Sequence, residues 1–147
     1  MTQVHGTCVE IAGIGVLLRG ADGSGKSDLA LRLIDGGARL VADDRVDLRP
    51  GDDGIWASAP AVLAGRLEVR GVGILTVPAV AMARVGLVCD LVPASRVARL
   101  PRPARAELGG VSLPLLAIAP FQASAVAKVR LAARAIVRGI MPDHDDG

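Results

Sequence analysis

Eight residues, Gly20-Ala21-Asp22-Gly23-Ser24-Gly25-Lys26-Ser27, lie between an apolar run, Ile14–Leu18, and a stretch with the spacing of an amphipathic helix. They match G-x-x-x-x-G-K-[ST] at every fixed position. Three glycines let the backbone curl so that its N–H groups face inward. With the positive end of the following helix they form an anion cradle. In this pattern Lys26 reaches the β- and γ-phosphates of a nucleotide, and the Ser27 hydroxyl ligates Mg²⁺. The plain alternative is a glycine-rich turn with a surface lysine. Composition weighs against it: of 17 basic residues only Lys26 and Lys128 are lysines, and one of the two stands where a compact, flexible ammonium is wanted.

A chain of 147 residues with 51% hydrophobic residues suggests one domain with a sizeable core. Its aromatics are Trp56 and Phe121 alone, so that core is Val, Leu, Ile and Ala. The same shortage argues against base-stacking recognition of single-stranded nucleic acid. A net charge of +2 is too mild to demand a nucleic-acid partner. Cys8 and Cys89 give neither a disulfide framework nor a metal-ligand spacing, and both sit in apolar runs as buried free thiols would. Residues 1–5 lack the basic and apolar regions of a signal peptide. The charge-free run Leu108–Ala127 carries Gly109, Gly110, Pro114 and Pro120, which mark strand–turn–strand rather than a membrane helix. A cytoplasmic protein with no membrane partner is expected.

Two strands, Thr7–Ala12 and Ile14–Arg19, join at Gly13. A helix starts near Lys26 and stops at Gly36-Gly37. Further strands are expected at Arg39–Ala42, Arg45–Arg49, Ile55–Ser58, Leu67–Arg70, Ile74–Val77, Val85–Val92, Ala104–Leu108 and Val111–Ile118. A last helix spans Ser124–Ile140. Val126, Val129, Ala133, Ile136, Val137 and Ile140 form its apolar face, and Arg130, Arg134 and Arg138 line another. A domain over 1–141 and a loose acidic tail over 142–147 follow. Two helices are too few for a doubly wound parallel sheet. The reading is therefore α/β, with the phosphate loop on a mixed, helix-poor β-sheet.

Phosphoryl transfer also needs a metal-holding carboxylate and a group that orients or deprotonates the acceptor. Val41-Ala42-Asp43-Asp44-Arg45 supplies candidates at the carboxyl end of a strand. Adjacent residues on an extended chain point to opposite sides, so the two acids should divide the roles. Glu68 and Arg70 share a strand face. They suit either an exposed ion pair or a second metal-side acid with a cation near phosphate charge. His5 before Gly6 carries no signal of its own and reads as a surface residue.

Four stretches in order carry a resemblance over most of the chain: His5-Gly6; Gly20–Ser27 followed by Asp28; Leu40-Val41-Ala42-Asp43-Asp44; and Leu67–Val77, similar to the signature E-[IV]-R-G-[LV]-G-I. The chain resembles the catalytic domain of bacterial HPr kinase/phosphorylase. The resemblance implies a core similar to phosphoenolpyruvate carboxykinases. It implies an ATP- and Mg²⁺-dependent kinase for a serine of the phosphocarrier HPr of the phosphotransferase system, with phosphorolytic removal of the same phosphate. It also implies a homo-oligomer, a hexamer, whose last helix helps to dock HPr. By position it implies that Lys26 binds the transferred phosphate and that Ser27 and Glu68 form the Mg²⁺ side, with Asp43 nearby. Asp44 takes the serine proton, His5 lies near that acid, and Arg99 handles phosphate. Relative to the long members the chain resembles a short form that starts at the catalytic domain. Where the family has a Pro-Gly-Arg-Asn-like segment, this chain has Pro120-Phe121-Gln122-Ala123-Ser124. That departure bears on the phosphorylase direction.

Two other readings use the same loop: a non-catalytic sensor that binds nucleotide and passes its state to a partner, and a kinase for a small molecule. The stripe Arg130, Arg134, Arg138 is either a solvated face or an HPr-docking surface.

Overall fold

Along the strands apolar side chains alternate, and they sort to the two faces of one sheet. The computed structural model describes residues 1–142. Strands β1 (Thr2–His5), β2 (Thr7–Ile11), β3 (Ile14–Arg19), β4 (Arg39–Ala42), β5 (Arg45–Gly51), β6 (Gly54–Ser58) and β9 (Met82–Leu91) run in the order β1-β5-β6-β9-β3-β2-β4. The hairpin β10 (Ala104–Leu108) and β11 (Val111–Ile118) joins through a parallel pairing of β11 with β9. A separate hairpin, β7 (Arg66–Val69) and β8 (Gly73–Thr76), lies off this sheet. Helix α1 (Lys26–Asp35) and helix α2 (Ala125–Val137) are its α-helices among the described residues. The sheet is mixed, since β9 runs parallel to β3 and antiparallel to β6. The mixed, helix-poor α/β reading therefore holds.

One core lies on the helix side. Val9, Val16, Leu18, Leu87 and Cys89 of the sheet meet Leu29, Leu33, Val129 and Ala133 of the helices. The opposite face packs Cys8, Leu17, Val85 and Val88 against Val46, Leu48, Ile55 and Leu113. Both cores are aliphatic, as the shortage of aromatics requires.

Two irregularities tune this pattern. Gly15 pairs with Val85 but Val16 with Leu87, leaving Gly86 as an extra residue in β9. A β-bulge of this kind shifts the side-chain phase by one. Val85 therefore shares a face with Val88, while Leu87, Cys89 and Leu91 face the helices. The same happens in β4: Cys8 pairs with Ala42 and Val9 with Leu40, leaving Val41 extra. Leu40 faces the helices and both Val41 and Ala42 face away. The next residue, Asp43, is thereby turned to the helix side.

Several expectations are corrected. Strand β2 stops at Ile11, because Ala12 (φ 54) and Gly13 (φ 88) form the turn. Strand β1 was not expected; its exposed polar pattern hides it, and it is held by pairing Thr2–His5 with Arg45–Leu48 of β5. Helix α2 ends at Val137, with Arg138 as its C-cap. Its buried residues are Ala125, Val129, Ala132 and Ala133, whereas Val137 and Ile140 are exposed. Its apolar face thus turns toward smaller side chains than the sequence suggested. The run Leu108–Ala127 holds the end of β10, the Gly109-Gly110 turn and β11, a strand–turn–strand as expected, and adds the first turn of α2. No helix among the described residues is long and apolar enough to cross a membrane. The tail expectation falls mostly on residues 143–147, outside the described residues.

Cys8 and Cys89 are fully buried, and burial pushes each thiol up to about 12 from the ordinary 9.0. The thiolate is the reactive form. At pH 8 the native protein should therefore leave a disulfide-based thiol reagent unconsumed, and both thiols should react once the chain is unfolded in guanidinium. Because the folded values are the raised ones, the thiols' contribution to stability is complete below pH 9. It declines as the pH climbs from 9 toward 12, a fall that urea titrations across that range would record.

Candidate nucleotide and acceptor site

The loop leaves β3 at Arg19, whose guanidinium binds Asp90 of the parallel strand β9 at 2.8 Å. Two neighbouring strand ends are thereby tied where the loop begins. Gly23 (φ 82) and Gly25 (φ 102) adopt left-handed backbone, which only glycine takes without cost. Ser24 N–H closes a turn onto Ala21 O at 3.0 Å, and Leu29 N–H donates to Gly25 O at 2.9 Å, opening α1. Gly20 is glycine for a different reason, since a Cβ there would overlap the Ser24 hydroxyl. Lys26 Nζ lies over the loop and donates to Gly20 O at 2.7 Å and Ala21 O at 3.0 Å. The ammonium is therefore held at the mouth of the cradle.

Asp43 follows β4 and is almost fully buried. Its Oδ1 accepts from the Ser27 hydroxyl at 2.9 Å and from the Thr7 hydroxyl at 3.0 Å. Its Oδ2 accepts from Glu68 N–H at 3.4 Å. One carboxylate thus gathers α1, β2 and β7. Thr7 is the residue that sequence reasoning missed. Its signal was present but ambiguous, because a Thr opening an apolar strand is common.

Asp44 takes a different position. Its φ of 71 is left-handed, a strained conformation for a residue with a side chain that Asp and Asn bear better than most. Arg45 N–H bonds Asp43 O at 2.8 Å, and Gly6 N–H bonds Asp44 O at 3.2 Å. These bonds form a tight turn braced by the β1–β2 junction. The exposed Asp44 carboxylate stands 3.7 Å from His5 Nδ1. The two acids do point apart, as expected, one into the protein and one outward.

A cavity of about 460 Å³ joins these parts; Lys26, Ser27, Asp28, Asp44, Glu68, Arg70 and Phe121 are among its lining residues. Leu67 is fully buried, which turns Glu68 and Arg70 outward toward this space. No ion pair joins Glu68 to Arg70 among the described residues, so the exposed-pair alternative is not what the hairpin forms. Arg99 sits on an exposed loop after β9 and is not part of the cavity wall. Within the stripe on α2, Arg130 is half-buried and donates to Leu33 O at 3.3 Å, bracing the C-terminal end of α1. A Cβ at Gly36 would overlap that guanidinium. The solvated part of the stripe is therefore Arg134 and Arg138.

The donor set suits a hard divalent cation. The Ser27 hydroxyl, bonded to the Asp43 carboxylate, and the Glu68 carboxylate on the cavity wall are oxygen donors of the kind Mg²⁺ prefers. The chemical capacity is clear. An inward-facing loop and a lysine meet anionic charge, buried oxygens stand beside it, and one solvated carboxylate faces the same cavity.

The model of the HPr Serine kinase C-terminal domain matches residues 1–85. HPr kinase/phosphorylase of Clostridium tetani (strain Massachusetts / E88) is 51% identical over 77 residues, covering 52% of this chain and 25% of that protein. The HPr kinase/phosphorylase of Streptococcus thermophilus (strain ATCC BAA-491 / LMD-9) is 52% identical over 77 residues, with the same coverage. The match thus spans about a quarter of the length of these relatives. The solved structure of the Hpr(Ser) kinase/phosphatase from Coxiella burnetii superposes with a TM-score of 0.76 at 29% identity, covering 95% of this chain and 90% of that one. The chain belongs to the HPr serine kinase C-terminal domain family.

Proposed function

We propose that this domain is an ATP- and Mg²⁺-dependent kinase for a serine of HPr, built on a P-loop with a phosphoenolpyruvate carboxykinase-like core. The observation that carries the reading is the arrangement around Asp43. The loop serine is bonded to a buried carboxylate while the adjacent acid, Asp44, faces the same cavity unencumbered by a hydrogen bond to the loop. In this reading the inward N–H groups of Gly20–Ser27 bind the phosphate tail and Lys26 leaves its loop carbonyls to neutralise the transferred group. Mg²⁺, held on the Ser27 side with Asp43 and Glu68, supplies charge neutralisation of the phosphate oxygens when bound. Asp44 accepts the proton of the attacking serine hydroxyl, and His5 at 3.7 Å orients that carboxylate. Arg70 adds positive charge at the cavity wall, and Arg99 reaches phosphate only if its loop folds over the site. The reverse, phosphorolytic direction would use the same groups with inorganic phosphate as acceptor. The family resemblance supports a hexamer and a cytoplasmic location for the domain over 1–141.

Label transfer from γ-labelled ATP to purified HPr tests the reading directly. A nucleotide sensor would bind ATP and leave HPr unlabelled, and a small-molecule kinase would label another acceptor. Asp44→Asn is the cleaner variant, since Asn tolerates the left-handed backbone that Ala does not. It should lower transfer by about 10²–10⁴-fold, the usual worth of a general base, with ATP affinity retained. Lys26→Ala should weaken ATP binding and transfer together. Native-rate transfer by Asp44→Asn would remove the proton-acceptor role.

Thr7→Val removes one of two hydroxyl donors to buried Asp43. Urea denaturation should show a loss of about 1–3 kcal/mol, while the Mg²⁺ dependence of transfer keeps its shape. Ser27→Ala should lose both stability and Mg²⁺ stimulation. For the exposed part of α2, Arg134→Glu should raise KM for HPr several-fold and leave KM for ATP unchanged. Equal changes in both would count against docking on this helix.

A further inference from the structure

Phe121 is the chain's sole phenylalanine, and it is 71% exposed. Burying such a ring is strongly favourable, so leaving it in water forgoes a sizeable stabilisation. Both cores are aliphatic and closed without it. Its position is not slack. The turn that carries it is fixed by Gln122 N–H to Ala119 O at 3.3 Å and Ala125 N–H to Gln122 O at 3.1 Å. The Pro120 carbonyl accepts from the Arg32 guanidinium, which also pairs with Asp28 at 2.9 Å. Arg32 and Asp28 both belong to α1, so the turn is tied to the helix that the phosphate loop opens.

The ring meets the loop by one edge. A Cβ built on Gly25 would lie 2.9 Å from Phe121 Cζ and 3.2 Å from Cε1. The rest of the ring is open to solvent, and Phe121 lines the same cavity as Lys26, Ser27 and Asp28. It is the aromatic member of that wall, whose other residues are charged, hydroxyl-bearing, aliphatic or glycine. A rigid, solvent-open aromatic beside a phosphate cradle is what a nucleobase would stack on once its phosphates are anchored.

We propose that Phe121 is the stacking platform for the nucleobase of the bound nucleoside triphosphate. This rests on the nucleotide-binding reading above and adds the base-binding half of the site. Stacking is tolerant of base identity because every base has a π-face. ATP and GTP are therefore bound alike, and pyrimidine triphosphates less tightly for want of ring area. The nucleoside is selected over bare polyphosphate by this contact.

The test compares ATP with inorganic tripolyphosphate, both with Mg²⁺, by calorimetry on the wild type, Phe121→Ala, Phe121→Trp and Lys26→Ala. The wild type binds ATP more tightly than tripolyphosphate. Phe121→Ala weakens ATP by about 5- to 100-fold, the range of one lost base–aromatic stack, and leaves tripolyphosphate unchanged. Phe121→Trp restores ATP affinity, and its added emission over that of Trp56 is quenched by ATP and not by tripolyphosphate. Equal loss of both ligands in Phe121→Ala would show that the ring only props Gly25 and would overturn the platform. Unchanged ATP affinity in Phe121→Ala would overturn it as well. If Lys26→Ala bound both ligands as the wild type does, the phosphate cradle itself would fall, and the platform with it.

Discussion

The structure turns on one buried carboxylate. Asp43 is removed from water, and a charge in that position persists only where donors surround it. Three do so: the Ser27 and Thr7 hydroxyls and the Glu68 N–H. Each comes from a different part of the chain, so satisfying one side chain fixes the helix after the loop, strand β2 and the β7–β8 hairpin relative to one another. Hydrogen bonds to a charged acceptor are about twice as strong as neutral ones, which suits Asp43 to this joint. The carboxylate reaches its donors because β4 carries an extra residue at Val41. In a regular strand Asp43 would face the other core, away from Ser27. The bulge therefore links fold and site.

Much of this was legible in the residues. The loop, its flanking strand and helix, and the pair of acids at a strand end follow from short-range rules of spacing and backbone freedom. Their order along the chain resembles one family. The β10–β11 and β5–β6 hairpins were readable from their turn glycines. What stayed hidden depends on register. Strand β1 is exposed and polar, so hydrophobic alternation could not mark it; only its pairing with β5 does. The bulges at Val41 and Gly86 change no residue type, and their effect appears only when partner strands are aligned. The role of Thr7 is ambiguous in the sequence for the same reason, since a hydroxyl's partner is set by three-dimensional packing.

The arginines teach a similar lesson. At helical spacing Arg130, Arg134 and Arg138 looked equivalent. Packing separates them, because Gly36 leaves room beside the end of α1 for one guanidinium and Arg130 occupies it. Arg32 carries no signal in the sequence, yet it connects Asp28 at the cavity to the turn ahead of α2. Side chains long enough to cross between elements are where a linear reading loses most. Their rows on a helix give a direction and no destination.

Those two arginine ties have a consequence for how the protein is made. The phosphate loop lies near the start of the chain, while the turn and helix that brace its helix are the last described elements to be synthesised. During translation the loop emerges early with the helix-side core uncovered, since Val129 and Ala133 are still to come. The helix that follows the loop is therefore fully braced only once α2 has been made. A chain stalled before that point carries the whole glycine motif and lacks the support that shapes it.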